Sequence, residues 1–208
     1  MTTNPNGGNY LRYANSTTGE LSVAGASYGP GGAGAIISYT IESTELGLIL
    51  IAGTVHGINW LGIHESEPYL ESELRGDFPQ AEVVRDDDGL RELAGKVIAF
   101  VGYSQASLDL PLDIRATPFQ LAVWRELCAI PPGETRSYGE IARRLGDGHR
   151  ARAVGHANGS NPLALLIPCH RAIGANGKLT GYRWGLEYKQ RILDYERRQK
   201  IDSAALRL

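Results

Sequence analysis

The chain has 208 residues, 42% of them apolar, with 21 Lys and Arg against 23 Asp and Glu. That content suits one large or two small globular domains and excludes both a disordered polyampholyte and a membrane span, since no apolar run approaches the ~20 residues a spanning helix needs. Two cysteines, Cys128 and Cys169, exclude a disulfide framework and a Cys-rich zinc site. A reducing cytosol argues against joining these two. The five histidines are scattered without metal-ligand spacing, so neither metal nor cofactor is expected. Residues 1–8 lack the basic and apolar regions of a secretory signal, which makes a cytoplasmic location the expectation. The net charge of −2 hides an asymmetry. Up to residue 110 the chain has 5 basic and 14 acidic side chains, and beyond it 16 and 9, so the two parts carry −9 and +7. A basic second part is expected to face a polyanion.

Residues 1–34, rich in Gly, Asn, Ser and Thr, predict a flexible leader. Residues 36–41 and 46–52 read as a strand pair and 57–63 as a third strand. Residues 67–78 read as a helix closed by Pro79. Asp86-Asp87-Asp88 opens a second helical pattern through Leu90, Leu93, Val97 and Val101, with acids at its positive end. A last strand, 108–114, leads to a boundary at 113–117. Residues 35–114 therefore form a small mixed α/β module with no evident catalytic cluster.

Thr117-Pro118-Phe119-Gln120 is a helix-start signature, with a capping Thr, an early Pro and Gln three residues on. Phe119, Val123, Leu127 and Ile130 share one face, and Cys128 on this helix reads as packing. Pro131-Pro132-Gly133 stops it. Ser137-Tyr138-Gly139-Glu140 opens a second helix over 138–145. After the turn Gly146-Asp147-Gly148 a small-residue helix covers 150–158, so the pair has helix-turn-helix form. Pro162 is expected to begin a buried strand that delivers Cys169. Asn176-Gly177 predicts a hairpin turn between 171–175 and 178–182, a small wing. A helix over 185–200 closes the chain.

Ile167-Pro168-Cys169-His170-Arg171 carries the chemistry. A thiol beside an imidazole and a guanidinium is placed to become a thiolate, the nucleophilic form. Read alone, a cysteine after an apolar run is more often a small buried hydrophobe.

Five features stand in one order: Ser137-Tyr138, Arg152-Ala153-Val154-Gly155, Asn161-Pro162, 167–171, and Gly181-Tyr182-Arg183-Trp184-Gly185. Together they make the chain resemble the methylated-DNA–protein-cysteine methyltransferases, or O6-alkylguanine-DNA alkyltransferases, and among these the Ada-type repair domain. The resemblance is clear over 112–197, looser over 36–111, and does not cover the first 34 residues. It implies a ribonuclease-H-like α/β domain at 35–114 and a winged-helix alkyltransferase domain at 115–208. It implies irreversible, stoichiometric transfer of an alkyl group from O6 of guanine, and less readily O4 of thymine, to Cys169. His170 would take the thiol proton through a bridging water, Glu196 would hold the imidazole, and Asn161 would shape the turn into the reaction centre. Arg152 would fill the space of a flipped nucleotide and Tyr138 would crowd its phosphate. Arg171, Tyr182 and Arg183 would line the lesion, and Ala151 and Gly155 would permit close approach to a minor groove. The implied partner is duplex DNA carrying alkylated bases, bound by a monomer.

Two departures stand out. Ala172 replaces a larger aliphatic residue, which implies looser packing under the active-site loop. The Cys-rich domain of full-length Ada proteins has no counterpart in these residues, so phosphotriester repair is not implied. Two other readings stay open: a non-catalytic lesion binder, in which His170 and Glu196 fail to activate the thiol, and a winged-helix regulator with a structural cysteine. A cysteine hydrolase is more distant, because no oxyanion-hole motif is visible.

Overall fold

The computed structural model describes residues 9–14, 18–23, 25–105 and 107–205. Its first unit is built on a four-stranded sheet of order β5-β4-β3-β6. Strands β3 (Ile36–Thr44), β4 (Gly47–Thr54) and β5 (Gly57–His64) form an antiparallel meander, and β6 (Glu82–Arg85) returns parallel to β3 after the first helix. All of β5 but His64, and the centre of β4 from Ile49 to Gly53, is buried, which explains their continuous apolar runs.

Helix α1 (Glu67–Asp77) starts where the Ser66 hydroxyl accepts from the Tyr69 N–H, and it buries Leu70 and Leu74, four residues apart on one face. Helix α2 (Arg91–Val101) turns Ala94, Val97 and Val101 inward. These elements follow the expectations from periodicity. Strand β6 was not anticipated, because four residues with one half-buried side chain carry no alternation to detect.

The expected flexible leader is corrected over 10–14, 18–23 and 25–34; its residues 1–8, 15–17 and 24 lie outside the described residues. Strands β1 (Tyr10–Ala14) and β2 (Thr18–Ser22) pair antiparallel, and β1 also pairs with β7 (Leu108–Pro111) to give a second sheet. The physical reason is alternation. Leu11, Tyr13, Leu21, Leu108 and Leu110 point into the core, while Arg12 on the outer face pairs with Asp109 at 2.7 Å. The segment that follows is tied down by Asp113, a buried carboxylate. It accepts from the Ser27 N–H (2.6 Å), the Ser27 hydroxyl (2.5 Å) and the Thr54 hydroxyl (2.5 Å).

The second unit begins with α3 (Pro118–Cys128), where Thr117 and Gln120 form a complete capping box. Val123, Trp124, Leu127 and Cys128 are buried, and the Trp124 indole N–H donates to the Ala157 carbonyl at 2.8 Å. Ser137 and Glu140 cap α4 (Tyr138–Arg144) in the same reciprocal way. A short 3-10 turn, Gly148–Arg150, leads to α5 (Ala151–Gly159), and α6 (Leu186–Ala205) closes the described chain.

Two expectations are corrected here. Residues 162–168 are not a strand; they form consecutive turns with Leu165 at φ 67°, and Cys169–Arg171 is a 3-10 turn. The apolar run is buried for a different reason: it seals the edge of β5, with the Leu61 N–H donating to Pro162 and the Ala164 N–H to Leu61. The wing is only a turn. Gly177 adopts φ 75° as an Asn-Gly turn requires. However, β9 (Ala172–Ile173) pairs parallel with β8 (Arg136–Ser137), and 178–182 form no strand. Among the described residues no helix is long and apolar enough to cross a membrane.

Replacing Asp113 with Ala removes the acceptor shared by three part-buried donors. Chemical denaturation should show a loss of about 2 kcal/mol, from the lost charge-assisted hydrogen bonds. A loss under about 1 kcal/mol would mean that the Ser27 and Thr54 contacts do not hold the segment.

Candidate active site

The reaction centre forms where the sealing loop meets α6. Asn161 shapes the loop: its amide N–H donates to the carbonyls of Ile167 (2.8 Å) and Leu163 (3.3 Å), and its oxygen accepts from the Leu163 N–H (3.0 Å). The Tyr13 hydroxyl, from β1, donates to the Leu166 carbonyl at 2.6 Å. Cys169 thus enters the core on a turn pinned from both units. Burial pushes its thiol up, and the Asn161 side chain and the Lys189 charge pull the other way.

Next to it, His170 Nε2 lies 2.8 Å from Glu196 Oε1. Burial alone would raise the Glu196 carboxyl, but His170 and Arg171 outweigh it and hold it well below the carboxylate range. With the carboxylate ionised, Nε2 is the donor and Nδ1 the acceptor. Nδ1 is buried and makes no hydrogen bond among the described residues. Burial also keeps the imidazole below its ordinary pKa, against the pull of Glu196, so the resting ring is a neutral base.

Arg171 does not lie where the sequence reading places it. It was expected at the lesion; instead it is buried, with Nη2 2.6 Å and Nε 3.0 Å from Glu196 Oε1, and Nη1 donating to the Ile130 carbonyl at 2.5 Å. A buried carboxylate needs such a counter-charge, and the 3-10 turn that carries Arg171 points it inward. Arg183 is likewise drawn away, to Glu73 (2.9 Å) and Asp77 (2.7 Å) of α1, and lies over the Trp60 and Trp184 rings. It fastens the 180–185 loop to the first unit.

Tyr182 does reach the centre. Its hydroxyl is buried without a hydrogen bond, and burial together with the Cys169 and Glu196 charges pushes its pKa far up. The Tyr138 hydroxyl donates to the Thr180 carbonyl at 3.2 Å. Arg152 is exposed on α5, with no ion pair among the described residues. A β-carbon at Gly155 would meet nothing within 4 Å, so nothing inside the chain requires a glycine there. Ala151, half-buried, begins the same helix. Ala172 is fully buried in β9, against β8. Cys128 is buried and its thiol is pushed up to about 11, as a packing role requires.

Lys189 was missed by the sequence reading. It is fully buried, its ammonium donates to the carbonyls of Thr180 (2.9 Å) and Gly181 (3.4 Å), and it lies 5.9 Å from the Tyr138 ring centre. Burial pushes it down to about 8, and the Cys169 charge opposes that shift. The available signal was its spacing on α6, seven residues before Glu196 and so on the same helical face.

Fold and site together define a mixed α/β protein with a buried cluster of Cys169, His170, Arg171 and Glu196. Residues 118–198 match the family described as 6-O-methylguanine DNA methyltransferase, DNA binding domain. The methylated-DNA–protein-cysteine methyltransferase of Methanosarcina mazei is 41% identical over 158 residues, 76% of this chain and 96% of that protein. The Escherichia coli bifunctional transcriptional activator/DNA repair enzyme Ada is 37% identical over 192 residues, 92% of this chain but 53% of Ada, so the chain spans about half the length of that relative. The crystal structure of Mycobacterium tuberculosis O6-methylguanine methyltransferase superposes with a TM-score of 0.61 at 38% identity, covering 77% of this chain and 92% of that one. The chain belongs to the methylated-DNA–protein-cysteine methyltransferase family.

The site generates two expectations. Replacing Lys189 with Met should raise the Cys169 thiol pKa by about one unit, read from ultraviolet thiolate absorbance in a Cys128→Ser background, because it removes a nearby positive charge from a dry site. An unchanged pKa would assign Lys189 to loop tethering alone. The second concerns stability. His170 and Glu196 both bind protons less readily folded than unfolded, so stability is full above the unfolded His value of about 6.5 and falls as pH drops below it. The Glu196 contribution is lost only below the ordinary carboxylate range of about 4.3. Denaturation between pH 8 and pH 3 should show this two-stage decline. Glu196→Gln should remove the acid stage and cost about 3–5 kcal/mol at neutral pH, because Arg171 is left without its counter-charge.

Proposed function

We propose that this chain reverses O6-alkylation of guanine in duplex DNA by transferring the alkyl group irreversibly to Cys169, one group per protein molecule. The observation that carries this reading is a buried Cys169 that shares a 3-10 turn with a neutral His170, whose Nε2 is held by ionised Glu196 and whose Nδ1 makes no hydrogen bond among the described residues. As the Cys169 thiol gives its proton to His170, through a water in the family's scheme, the sulfur attacks the alkyl carbon. The S–C bond forms as the C–O6 bond breaks, and the electron pair stays on guanine, which takes up a proton. Glu196 stabilises the imidazolium formed. Asn161 holds the loop and steadies the developing thiolate, and Lys189 supports it electrostatically.

The target oxygen lies within the duplex, so the nucleotide is flipped outward. Arg152, exposed and without an ion pair among the described residues, suits the filling of the vacated stack. Ala151 and Gly155 leave α5 smooth enough to enter a minor groove. Tyr138 exchanges its contact with Thr180 for contacts to the flipped nucleotide, and Tyr182 closes over the base. A crystal structure of Mycobacterium tuberculosis OGT in complex with DNA, 37% identical with a TM-score of 0.62, supports DNA as the partner.

In this reading the first unit is ribonuclease-H-like, which the β3-β4-β5 meander and parallel β6 support, and it includes the β1–β2 hairpin. The second is a winged-helix unit with a reduced wing. The protein acts as a monomer in the cytoplasm, on duplex DNA carrying O6-alkylguanine and, less readily, O4-alkylthymine.

Incubation with duplex DNA bearing one O6-methylguanine, followed by intact-mass measurement and peptide mapping, should show a single methyl group on Cys169 and no second turnover. Cys169→Ala should abolish transfer and keep lesion binding; methyl removal by that variant would sink the mechanism. Arg152→Ala should slow transfer from duplex DNA at least tenfold more than transfer from a free O6-alkylguanine base, since only the former requires flipping.

A further inference from the structure

The first unit contributes one side chain directly to the buried charge cluster. Tyr103 follows α2 with φ 58°, in the left-handed region that residues bearing a β-carbon rarely occupy. It is held there by its N–H, which donates to the Phe100 carbonyl at 3.1 Å, and by ring contact with Tyr195 at 6.1 Å between centres. Such backbone strain persists where the surroundings fix it for a purpose other than local comfort. Its effect is to aim the phenol between the two units, where the hydroxyl donates to Glu196 Oε1 at 3.1 Å. The same oxygen accepts from His170 Nε2 and Arg171 Nη2. A cavity of about 30 Å³ adjoins Tyr103, His170, Arg171 and Glu196. Burial and the Glu196 charge keep the phenol protonated, so it acts only as a donor.

We propose that Tyr103 is a positioning residue that acts through Glu196 on His170, so that the first unit sets the proton affinity of the base serving Cys169. The chemistry has a definite sign. A hydrogen bond from the phenol draws charge from Oε1, and a less basic carboxylate stabilises the imidazolium less. Tyr103 therefore keeps His170 neutral further down in pH. The other groups facing the pair are Arg171 and the Gly133 N–H on Glu196, Lys189 and Cys169 beside His170, and the phenols of Tyr13 and Tyr182. All of them remain when only the Tyr103 hydroxyl is changed.

The role of Tyr103 rests on His170 as the base, and the test separates the two. The His170 imidazole is titrated by 15N NMR in the unaltered protein, in Tyr103→Phe, and in protein carrying 3-fluorotyrosine at 103, a stronger donor. Removing the hydroxyl should raise the His170 pKa by about half a unit, and fluorination should lower it. The acid limb of the methyl-transfer rate against pH should move the same way in each case. A purely structural hydroxyl would not give opposite shifts for the two changes, and the fluorinated protein keeps the test decisive if Tyr103→Phe folds poorly. An unchanged His170 titration in both overturns the coupling. Shifted titrations beside an unshifted rate profile would instead remove His170 from its role as base.

Discussion

An ionised carboxylate inside a protein persists only when donors replace the water it has lost. Glu196 meets that condition through groups from three places in the chain. They are His170 and Arg171 on the 3-10 turn, the Gly133 N–H after α3 at 2.7 Å, and Tyr103 after α2. None can leave without exposing a charge to an apolar core, so the three segments and α6 behave as one piece. The position of Cys169 follows from this, because it directly precedes His170 on the same turn. The cluster thus serves both the fold and the chemistry: it fixes the thiol and leaves the imidazole one free nitrogen.

A second constraint acts from the other side. The loop before Cys169 has no regular structure of its own, and its backbone groups find partners on the β5 edge, on the Asn161 side chain and on Tyr13. The first unit is therefore the wall against which the reaction centre is cast. The charge asymmetry of the sequence is partly spent at the same junction. Acidic Glu73, Asp77 and Glu65 of the first unit bind Arg183 and Arg191 of the second. Exposed basic side chains remain on α4 and α5, among them Arg143 and Arg152.

Helix starts were legible because capping is local: Thr117 with Gln120 and Ser137 with Glu140 need only residues three apart. The Cys-His pair was legible for the same reason. The β1–β2 hairpin was not, since Gly, Asn and Ser around it outweighed a short alternation whose value depends on pairing with a strand nearly a hundred residues away. The loop of residues 162–168 was misread as a strand because burial on all sides gives an apolar run whatever the backbone does. Arg171 and Arg183 were misplaced because a basic residue near a lesion site and a basic residue seeking a buried or distant carboxylate look alike in sequence. Lys189 passed unnoticed because a lysine on a helix usually belongs to solvent.

By itself, the sequence determined the order of helices, the apolar strands of the first sheet, the turn at Asn176-Gly177 and the residues able to do thiol chemistry. Each of these rests on propensity, capping or reactivity, properties that a residue carries with its near neighbours. Tertiary structure alone decided which cations are consumed inside the protein, which nitrogen of His170 stays free, and that a tyrosine of the first unit touches the carboxylate of the second. Those outcomes depend on desolvation and on distances between segments far apart in the chain, and no local pattern encodes them.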